Sequence, residues 1–235
     1  MENQFERTEL LFGKEAINKL KKSRVAIFGV GGVGGYVCEA LARVGVGALD
    51  IIDNDTVSVS NINRQIIATH HTVGRLKVDV MEERILSINP SCKVRKYNTF
   101  ALKDNLSDFP FEEYDYVVDA IDTVSGKLGI IKEAYDKNIP IISSMGAGNK
   151  LNPQGFIVAD INKTEVDPLA RTIRYEVRKL GIKHLKVVYS KEIPLECKIK
   201  KTSEETGKVI PGSNPFVPSS CGLLIASEVT KDLLK

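Results

Sequence analysis

The sequence has few cysteines and no long apolar run. Its four cysteines are widely spaced and form no CxxC pair, which favours reduced thiols over a disulfide framework or a structural zinc site. The longest apolar stretches, IPIISSMGAG and CGLLIAS, are shorter than the roughly 20 residues that a membrane-spanning helix needs. The first stretch of the chain, MENQFERTELLFGKE, contains no apolar signal core. We therefore expect a cytoplasmic protein without a membrane span.

The chain does contain enough apolar residues for a folded core. Hydrophobic residues make up 43% of its 235 residues, which excludes a disordered chain. This length suits one large domain, and we predict a single domain over residues 1–235. The net charge of +3 is small, so the distribution of charge along the chain is more informative than its total.

Short apolar strands alternate with amphipathic helices over the first two thirds of the chain. This alternation predicts a Rossmann-like α/β fold, a mostly parallel sheet with helices on both faces. Such sheets bind ligands at the carboxyl ends of their strands. The predicted helices are 9–22, 33–43, 73–89 and 124–137, and the predicted strands are 24–28, 48–53, 93–98, 114–122, 139–145 and 155–161.

The C-terminal part is more elaborate, with a basic helix and a long loop at about 166–219. The helix is predicted from Asp167-Pro168 and from the helical spacing of its apolar residues. A strand at 185–190 follows, and then a polar segment rich in Pro, Gly, Ser and Lys extends to Ser219. A loop of this length is usually functional or mobile. A final helix is predicted over 219–234.

A glycine-rich turn, GVGGVG, joins the first strand to the next helix. Gly29, Gly31 and Gly34 fit G-x-G-x-x-G, a pattern in which backbone N–H groups at a helix N-terminus approach a phosphate, and Gly32 lies within the same turn. Asp53 ends the following strand, where a carboxylate can accept hydrogen bonds from ribose hydroxyls. The alternative is a turn that only packs a strand on a helix.

The residues that follow distinguish between NAD and ATP. Two further cations and two amides come after Asp53, and they suggest more phosphate charge than the pyrophosphate of NAD carries. Asp122 ends the next predicted strand and suits a Mg²⁺ ion bound to a polyphosphate. Any one of these residues alone could be a solvated surface group, but their joint spacing favours ATP. The four residues after Asp53 are Asn61, Arg64, Gln65 and Lys77.

Five motifs in order, GVGGVG, IDND, SNINRQ, GxxK and DAID, resemble the adenylyltransferase family of the ThiF, MoeB and HesA proteins. The resemblance implies that a substrate carboxylate attacks the α-phosphorus of ATP, giving an acyl-adenylate and pyrophosphate. It implies that Gly31 lies at the phosphates, that Asp53 holds the ribose and that Asp122 lies near Mg²⁺ and the reacting centre. It also implies phosphate contacts from Asn61, Arg64 and Lys77.

Arg7, in the stretch FERTELL, matches an N-terminal arginine that in this family reaches into the site of a partner subunit. The resemblance therefore implies a homodimer. The candidate catalytic residues are Arg7, Arg64, Lys77 and Asp122. Arg7, Arg64 and Lys77 could neutralise charge in the transition state together with Mg²⁺, and the resemblance implies that Asp122 lies near that ion.

The stretches RTELLFG, DAIDTVSGK, SSMGAGN, DPLA and PSSCG are similar to one subgroup of this family, the tRNA threonylcarbamoyladenosine dehydratases. The similarity implies ATP-dependent ring closure on a modified adenosine of tRNA, with loss of water. The alternative is activation of a ubiquitin-like sulfur-carrier protein, against which the missing CxxC pairs argue. A third alternative is a nucleotide-binding regulator. Whether a sulfur-transfer partner exists stays open.

Charge is concentrated in one segment. Residues 171–201 contain ten basic and three acidic residues, a net charge of +7 that leaves −4 for the rest of the chain. Such a segment is typical of a surface that binds an RNA backbone. The alternative is a solvated basic helix face and loop.

Some residues have two interpretations. Cys221 lies at a predicted helix N-terminus, which would stabilise a thiolate nucleophile, but a small packing residue is the stronger interpretation. Ser143, Ser144, Gly146 and Gly148 lie at the end of a predicted strand and could line a substrate pocket or form a flexible turn. The three histidines, His70, His71 and His184, lack metal-ligand spacing and receive no role.

Overall fold

Seven strands form one sheet in the computed structural model, which describes residues 3–203, 207 and 209–235. Their order across the sheet is β3-β2-β1-β4-β5-β7-β6, and every neighbouring pair is parallel except β6 with β7. The predicted Rossmann-like, mostly parallel sheet is confirmed. The strands are β1 (Arg24–Phe28), β2 (Ala48–Ile52), β3 (Lys93–Tyr97), β4 (Tyr116–Asp119), β5 (Ile141–Ser144), β6 (Phe156–Asp160) and β7 (Lys186–Ser190).

Helices pack on both faces of this sheet. Strand β1 shows this directly, because successive side chains of a strand point to opposite faces. Val25 and Ile27 belong to one buried cluster with residues of α3 and α7, and Ala26 and Phe28 belong to another with residues of α5. The helices are α1 (Glu6–Phe12), α2 (Lys14–Lys22), α3 (Gly34–Val44), α4 (Lys77–Ile88), α5 (Val124–Asp136), α6 (Pro168–Lys179) and α7 (Phe216–Leu233).

The predicted lead-in helix over 9–22 is wrong in one respect, because it is two helices. Gly13 separates them with a φ of 85°, a left-handed conformation that glycine adopts readily, and its N–H donates to the carbonyl of Glu9 at 2.7 Å. The first helix, α1, buries none of its residues, and Leu10 and Leu11 are 82% and 81% exposed. Arg7 lies on this exposed helix.

Two further boundaries differ from the prediction. Helix α4 begins at Lys77 rather than near residue 73, because Leu76 is extended and forms a bridge with Thr56. Strand β4 ends at Asp119, so Asp122 lies three residues beyond the strand and not at its end. Despite these shifts, Lys77 and Asp122 both lie near the carboxyl edge of the sheet.

The last helix begins earlier than predicted, and the long loop is therefore shorter. Asn214 accepts hydrogen bonds from the N–H groups of Phe216 and Val217 at 3.0 Å each, and α7 starts there rather than at residue 219. The segment between β7 and α7 is described at residues 191–203, 207 and 209–215, and we call these residues the crevice loop. In the part of the chain that the structure describes, no helix is both long and apolar enough to cross a membrane.

Candidate active site

A crevice of about 590 Å³ opens at the carboxyl edge of the sheet, where β1, β2, β4 and β5 end. The residues predicted to bind the nucleotide or to take part in catalysis converge here, with two exceptions, Gly34 and Arg7. The lining includes Gly29, Gly31, Gly32, Asp53, Asn61, Arg64, Gln65, Lys77 and Asp122.

The glycine turn forms one wall of the crevice. Gly29 has a φ of 92°, and a Cβ there would lie 2.8 Å from the carbonyl oxygen of Ala120. A Cβ on Gly31 would meet nothing nearer than the Gln65 amide nitrogen at 3.9 Å, so the backbone at Gly31 is open to the crevice. This is the free approach that a phosphate needs at a helix N-terminus.

Gly34 has a packing role instead of lining the crevice. A Cβ there would lie 1.8 Å from the carbonyl oxygen of Gly29, which no side chain can tolerate. The third glycine of the pattern thus permits close contact between α3 and the turn, as such motifs require.

Asp53 follows β2 directly and links that strand to the glycine turn. Its carboxylate accepts hydrogen bonds from the N–H of Val30 at 2.7 Å and of Asp55 at 2.9 Å. Burial raises the pKa of Asp53 above its ordinary value, and the nearby Lys77 ammonium opposes that rise. The Nζ atom of Lys77 lies 3.8 Å from Asp53 and donates to Asp55 at 2.6 Å.

Arg64 is the cation of the crevice that has no carboxylate partner among the described residues. Its Nη1 atom donates to the carbonyl of Ser60 and to Oδ1 of Asn63, both at 3.0 Å. Partial burial lowers the pKa of Arg64, but an arginine stays protonated at neutral pH. The guanidinium is thus held by neutral groups and keeps its charge available for an anion.

Gln65 and Asn61 differ in whether the oxygen of the side-chain amide has a hydrogen-bond partner within the protein. The Oε1 atom of Gln65 is buried without a hydrogen-bond partner in the described residues, and only 6% of this residue is exposed. Buried polar atoms without partners are rare, and this one belongs to a residue that lines the crevice. Asn61 accepts from the N–H of Ser58 at 3.1 Å and so stabilises the local 3₁₀ turn.

Asp122 is exposed in the crevice and forms no hydrogen bond or ion pair with the described residues. The carboxylate at the true end of β4 is Asp119, which is fully buried and accepts from Lys127 at 2.8 Å and from Ser143 at 2.5 Å. Burial raises the pKa of Asp119, and Lys127 opposes the rise. Sequence reasoning missed Lys127, although it lies within the quoted DAIDTVSGK.

A second buried ion pair lies on the other side of the crevice. Lys150 donates to Asp167 at 2.9 Å and to the carbonyl of Gly146 at 2.6 Å, with side-chain exposures of 1% and 0% for the pair. Asp167 also caps α6 by accepting from the N–H of Ala170 at 2.9 Å. Lys150 and Asp167 were not predicted to be site residues. Neither a lysine that follows a strand nor an aspartate that caps a helix indicates from the sequence alone that the two side chains pair.

The predicted pocket residues at the end of β5 and just beyond it are divided between two roles. Ser144, Gly146 and Gly148 line the crevice, whereas the hydroxyl of Ser143 is turned to Asp119 beneath it. The crevice loop completes the opposite side with Pro194, Pro211 and Ser213. Among the described residues, no three His, Cys, Asp or Glu side chains are grouped to hold a metal ion.

The expected placement of Cys221 at a helix N-terminus is wrong. Helix α7 begins five residues earlier, and Cys221 is fully buried with its Sγ atom 3.4 Å from the hydroxyl of Ser144. Burial raises the pKa of the Cys221 thiol from 9.0 to about 12. These facts favour the packing interpretation over a nucleophile.

Arg7 does not line the crevice of its own chain. It is exposed on α1, a helix with no buried residue. Its predicted contact with the crevice of a partner subunit stays a prediction.

A Rossmann-like sheet whose glycine turn, unpaired arginine and free carboxylate share one crevice defines a nucleotide-binding α/β protein. The model of the ThiF family matches residues 5–235, and the chain belongs to that family. The resemblance inferred from the motifs is thereby confirmed.

Two enzymes and two solved structures are similar to this chain over most of its length. The chain is 45% identical to a tRNA threonylcarbamoyladenosine dehydratase of Bacillus subtilis, over 100% of this chain and 96% of that protein. It is 34% identical to the enzyme of that name in Escherichia coli, over 97% and 92% of the two chains. The E. coli enzyme solved in complex with ATP matches this structure with a TM-score of 0.90 at 33% identity, covering 98% of this chain and 93% of that one. Its complex with AMP matches with a TM-score of 0.89.

The burial of Cys221 predicts low reactivity. At pH 8 a thiol with a pKa of about 12 is ionised in about one molecule in 10⁴, so we expect iodoacetamide to leave Cys221 unmodified in the folded protein. The half-buried Cys197 is the internal comparison and should react first. Peptide mass spectrometry over a time course measures both, and equal labelling of the two cysteines in the folded protein would contradict the packing role.

Proposed function

We propose that this protein catalyses the ATP-dependent dehydration of N6-threonylcarbamoyladenosine in tRNA. In the proposed reaction the threonyl carboxylate attacks the α-phosphorus of ATP, releasing pyrophosphate and forming an acyl-adenylate. The neighbouring carbamoyl oxygen then attacks the activated carbonyl carbon, the ring closes, and AMP leaves with one oxygen of the original carboxylate. The observation that carries the proposal is the unpaired Arg64 beside an open glycine turn, in a chain similar throughout its length to enzymes of this name.

The residues of the crevice support an ATP site. The backbone at Gly31 is open for a phosphate, and Arg64 keeps free donors for another. Asp53 lies beside the glycine turn, where its remaining lone pairs can accept from ribose hydroxyls. The protein needs no nucleophile of its own for this step, because the substrate carboxylate is the nucleophile.

We propose that Mg²⁺ enters with ATP and that Asp122 is its contact on the protein. Mg²⁺ in nucleotide sites is usually held by phosphates and water together with one or two carboxylates. Asp122 is exposed in the crevice and has no other partner among the described residues, so the donor set fits such an ion. When bound, Mg²⁺ would neutralise phosphate charge.

We propose that tRNA binds beside the crevice through the crevice loop. Lys198, Lys200 and Lys201 are exposed on this loop, and Pro194, Pro211 and Ser213 of the same loop line the crevice. The net charge of the 171–201 segment overstates its free basic surface, because Lys186 lies on β7 and pairs with Glu228 at 2.7 Å and with Asp232 at 2.8 Å. A tRNA substrate would place the reaction in the cytoplasm.

We further propose a homodimer in which the Arg7 of each subunit serves the crevice of the other. Its support is the exposure of Arg7 on a helix that buries no residue within its own chain, next to the exposed Leu10 and Leu11. Apolar side chains exposed to this degree are typical of an interface.

The reaction itself is tested with ATP, Mg²⁺ and tRNA that carries the threonylcarbamoyl group. We expect the modified nucleoside to lose the mass of one water by mass spectrometry, with release of AMP. Arg64→Ala or Asp122→Ala should slow AMP formation by roughly two orders of magnitude or more, as for loss of a transition-state contact.

The matched control for Arg64→Ala is Arg43→Ala, since Arg43 is a 59% exposed arginine of α3 outside the crevice. Adenylylation of a sulfur-carrier C-terminus, with no mass change in tRNA, would instead support the alternative activity. Tight NAD binding without AMP release would contradict the ATP site.

The role of Arg7 is tested by mixing two inactive variants. We expect Arg7→Ala and Asp122→Ala subunits, each inactive alone, to regain part of the AMP-forming activity when mixed, because a hybrid dimer contains one complete site. Each variant incubated alone is the control. No recovery after subunit exchange has been demonstrated by native mass spectrometry would favour a site built from one chain.

The tRNA surface is tested by salt dependence. We expect the Lys198/Lys200/Lys201 triple alanine variant to bind tRNA more weakly, with a log–log salt slope shallower by about two to three units if all three lysines contact phosphates. All tRNAs should be weakened about equally, since phosphate contacts position rather than specify. The Lys14/Lys19/Lys22 triple alanine variant removes the same charge from exposed positions of α2 and is the control. An unchanged slope in the crevice-loop variant would contradict this surface.

A further inference from the structure

The side chain of Asn63 joins two distant parts of the crevice. Its Nδ2 atom donates to the carbonyl of Ser213 in the crevice loop at 3.1 Å. Its Oδ1 atom accepts from Nη1 of Arg64 at 3.0 Å. Asn63 is exposed and lies outside the crevice lining, so these bonds are not needed to satisfy a buried amide.

The contact leaves Arg64 with one free edge. Nη1 is occupied by the carbonyl of Ser60 and by Asn63, whereas Nε and Nη2 have no partner among the described residues. The Nε and Nη2 donors form the fork that binds two oxygens of a phosphate side by side. The direction in which this fork points depends on the two groups that hold Nη1.

Ser213 belongs to a short segment of the crevice loop, residues 209–215, which we call the return arm. On the side of β5 the arm is held by Asn149, which accepts from the N–H of Gly212 at 2.6 Å and donates its own N–H to the Gly212 carbonyl at 2.8 Å. Asn214 adds a bond to the carbonyl of Lys150 at 2.8 Å. Asn63 holds the arm from the opposite side, and the arm therefore bridges the crevice.

We propose that Asn63 is a positioning residue that couples the seating of the return arm to the orientation of Arg64. With the arm seated, Ser213 fixes the amide of Asn63, and the amide fixes the edge of Arg64 that faces the phosphates. Coupling between two binding events is reciprocal, so ATP and the seated arm stabilise each other by the same factor. The proposal rests on the proposed ATP site and assigns that site a residue that does not touch the nucleotide.

The coupling is measured on the intact protein with ATP and trypsin. Trypsin cleaves after Lys198, Lys200 and Lys201, which belong to the crevice loop and are exposed. Their segment is tied to the return arm, since the N–H of Ile210 donates to the carbonyl of Lys201 at 2.8 Å and Thr202 forms a bridge with Val209. In the wild-type protein we expect saturating ATP to slow cleavage of the loop by about tenfold, a typical size for coupling between sites.

In Asn63→Ala we expect ATP to slow cleavage by no more than about twofold, and the Kd for ATP to rise about tenfold, the effect of losing a hydrogen bond to a charged group. Asn63→Asp keeps an acceptor for Arg64 but cannot donate to Ser213, so it should also lose the ATP-dependent protection. Asn63→Gln retains both groups of the amide and should restore part of the protection.

Asn162→Ala is the matched control. Asn162 is also an exposed asparagine that accepts from an arginine, Arg178, and donates to a carbonyl, that of Lys183, but it lies away from the crevice. This variant should keep the wild-type protection and ATP affinity. Full protection by ATP in Asn63→Ala would overturn the coupling and would mean that ATP holds the arm directly.

Both measurements use ATP alone, so they are independent of the identity of the RNA substrate. Failure of the wild-type protein to bind ATP would overturn the proposed function together with this inference. Normal ATP binding with protection unaffected by Asn63→Ala would overturn this inference alone.

Discussion

The close approach between the glycine turn and α3 is the constraint on which the crevice depends. The Gly29 carbonyl occupies the space that a Cβ of Gly34 would need, at 1.8 Å, so the helix can begin there only with glycine at this position. That contact directs the N-terminus of α3 at the crevice, where unpaired N–H groups favour an anion. The start of α3 also lies close to α7, since a Cβ on Gly222 would lie 2.4 Å from the carbonyl oxygen of Val33, the residue before α3. The wall formed by the glycine turn and the C-terminal helix are thus packed together.

Two buried ion pairs organise the remaining walls. Lys127 with Asp119 fixes the end of β4 against β5, and Lys150 with Asp167 fixes the segment after β5 against α6. Desolvation makes such pairs weak contributors to net stability, but removing one partner costs about 3–5 kcal/mol because the other charge is left buried. Each pair therefore holds two chain segments in a single arrangement around the crevice.

Sequence patterns predicted the sheet and most of the crevice because both depend on local signals. Glycine spacing and strand ends are readable from neighbouring residues, and the strand predicted to end at Asp53 ends one residue earlier, at Ile52. The features that the sequence analysis missed are of two kinds. The start of α7 near Asn214 and the break at Gly13 depend on local signals, an asparagine that accepts from the first N–H groups of the helix and a glycine with a left-handed φ. The partner of Lys127 depends on burial after folding and has no local signal. A lysine that is buried and paired has the same local sequence signal as one exposed to solvent.

The lysines of the crevice differ in how deeply their carboxylate partners are buried. This difference decides which lysine could leave its partner to contact a phosphate. Lys150 is paired with a carboxylate that is fully buried, and its release would leave that charge uncompensated at a cost of several kcal/mol. The partner of Lys77 is different, because the side chain of Asp55 is 55% exposed. Asp55 can be hydrated if the contact is lost, whereas the Lys77 side chain is only 6% exposed and also lies 3.8 Å from the 9% exposed Asp53. In the proposed ATP site a phosphate would therefore replace Asp55 as the partner of Lys77, while Lys150 stays in place as part of the wall. Together with the unpaired Arg64, this gives the crevice two cations available to a polyphosphate.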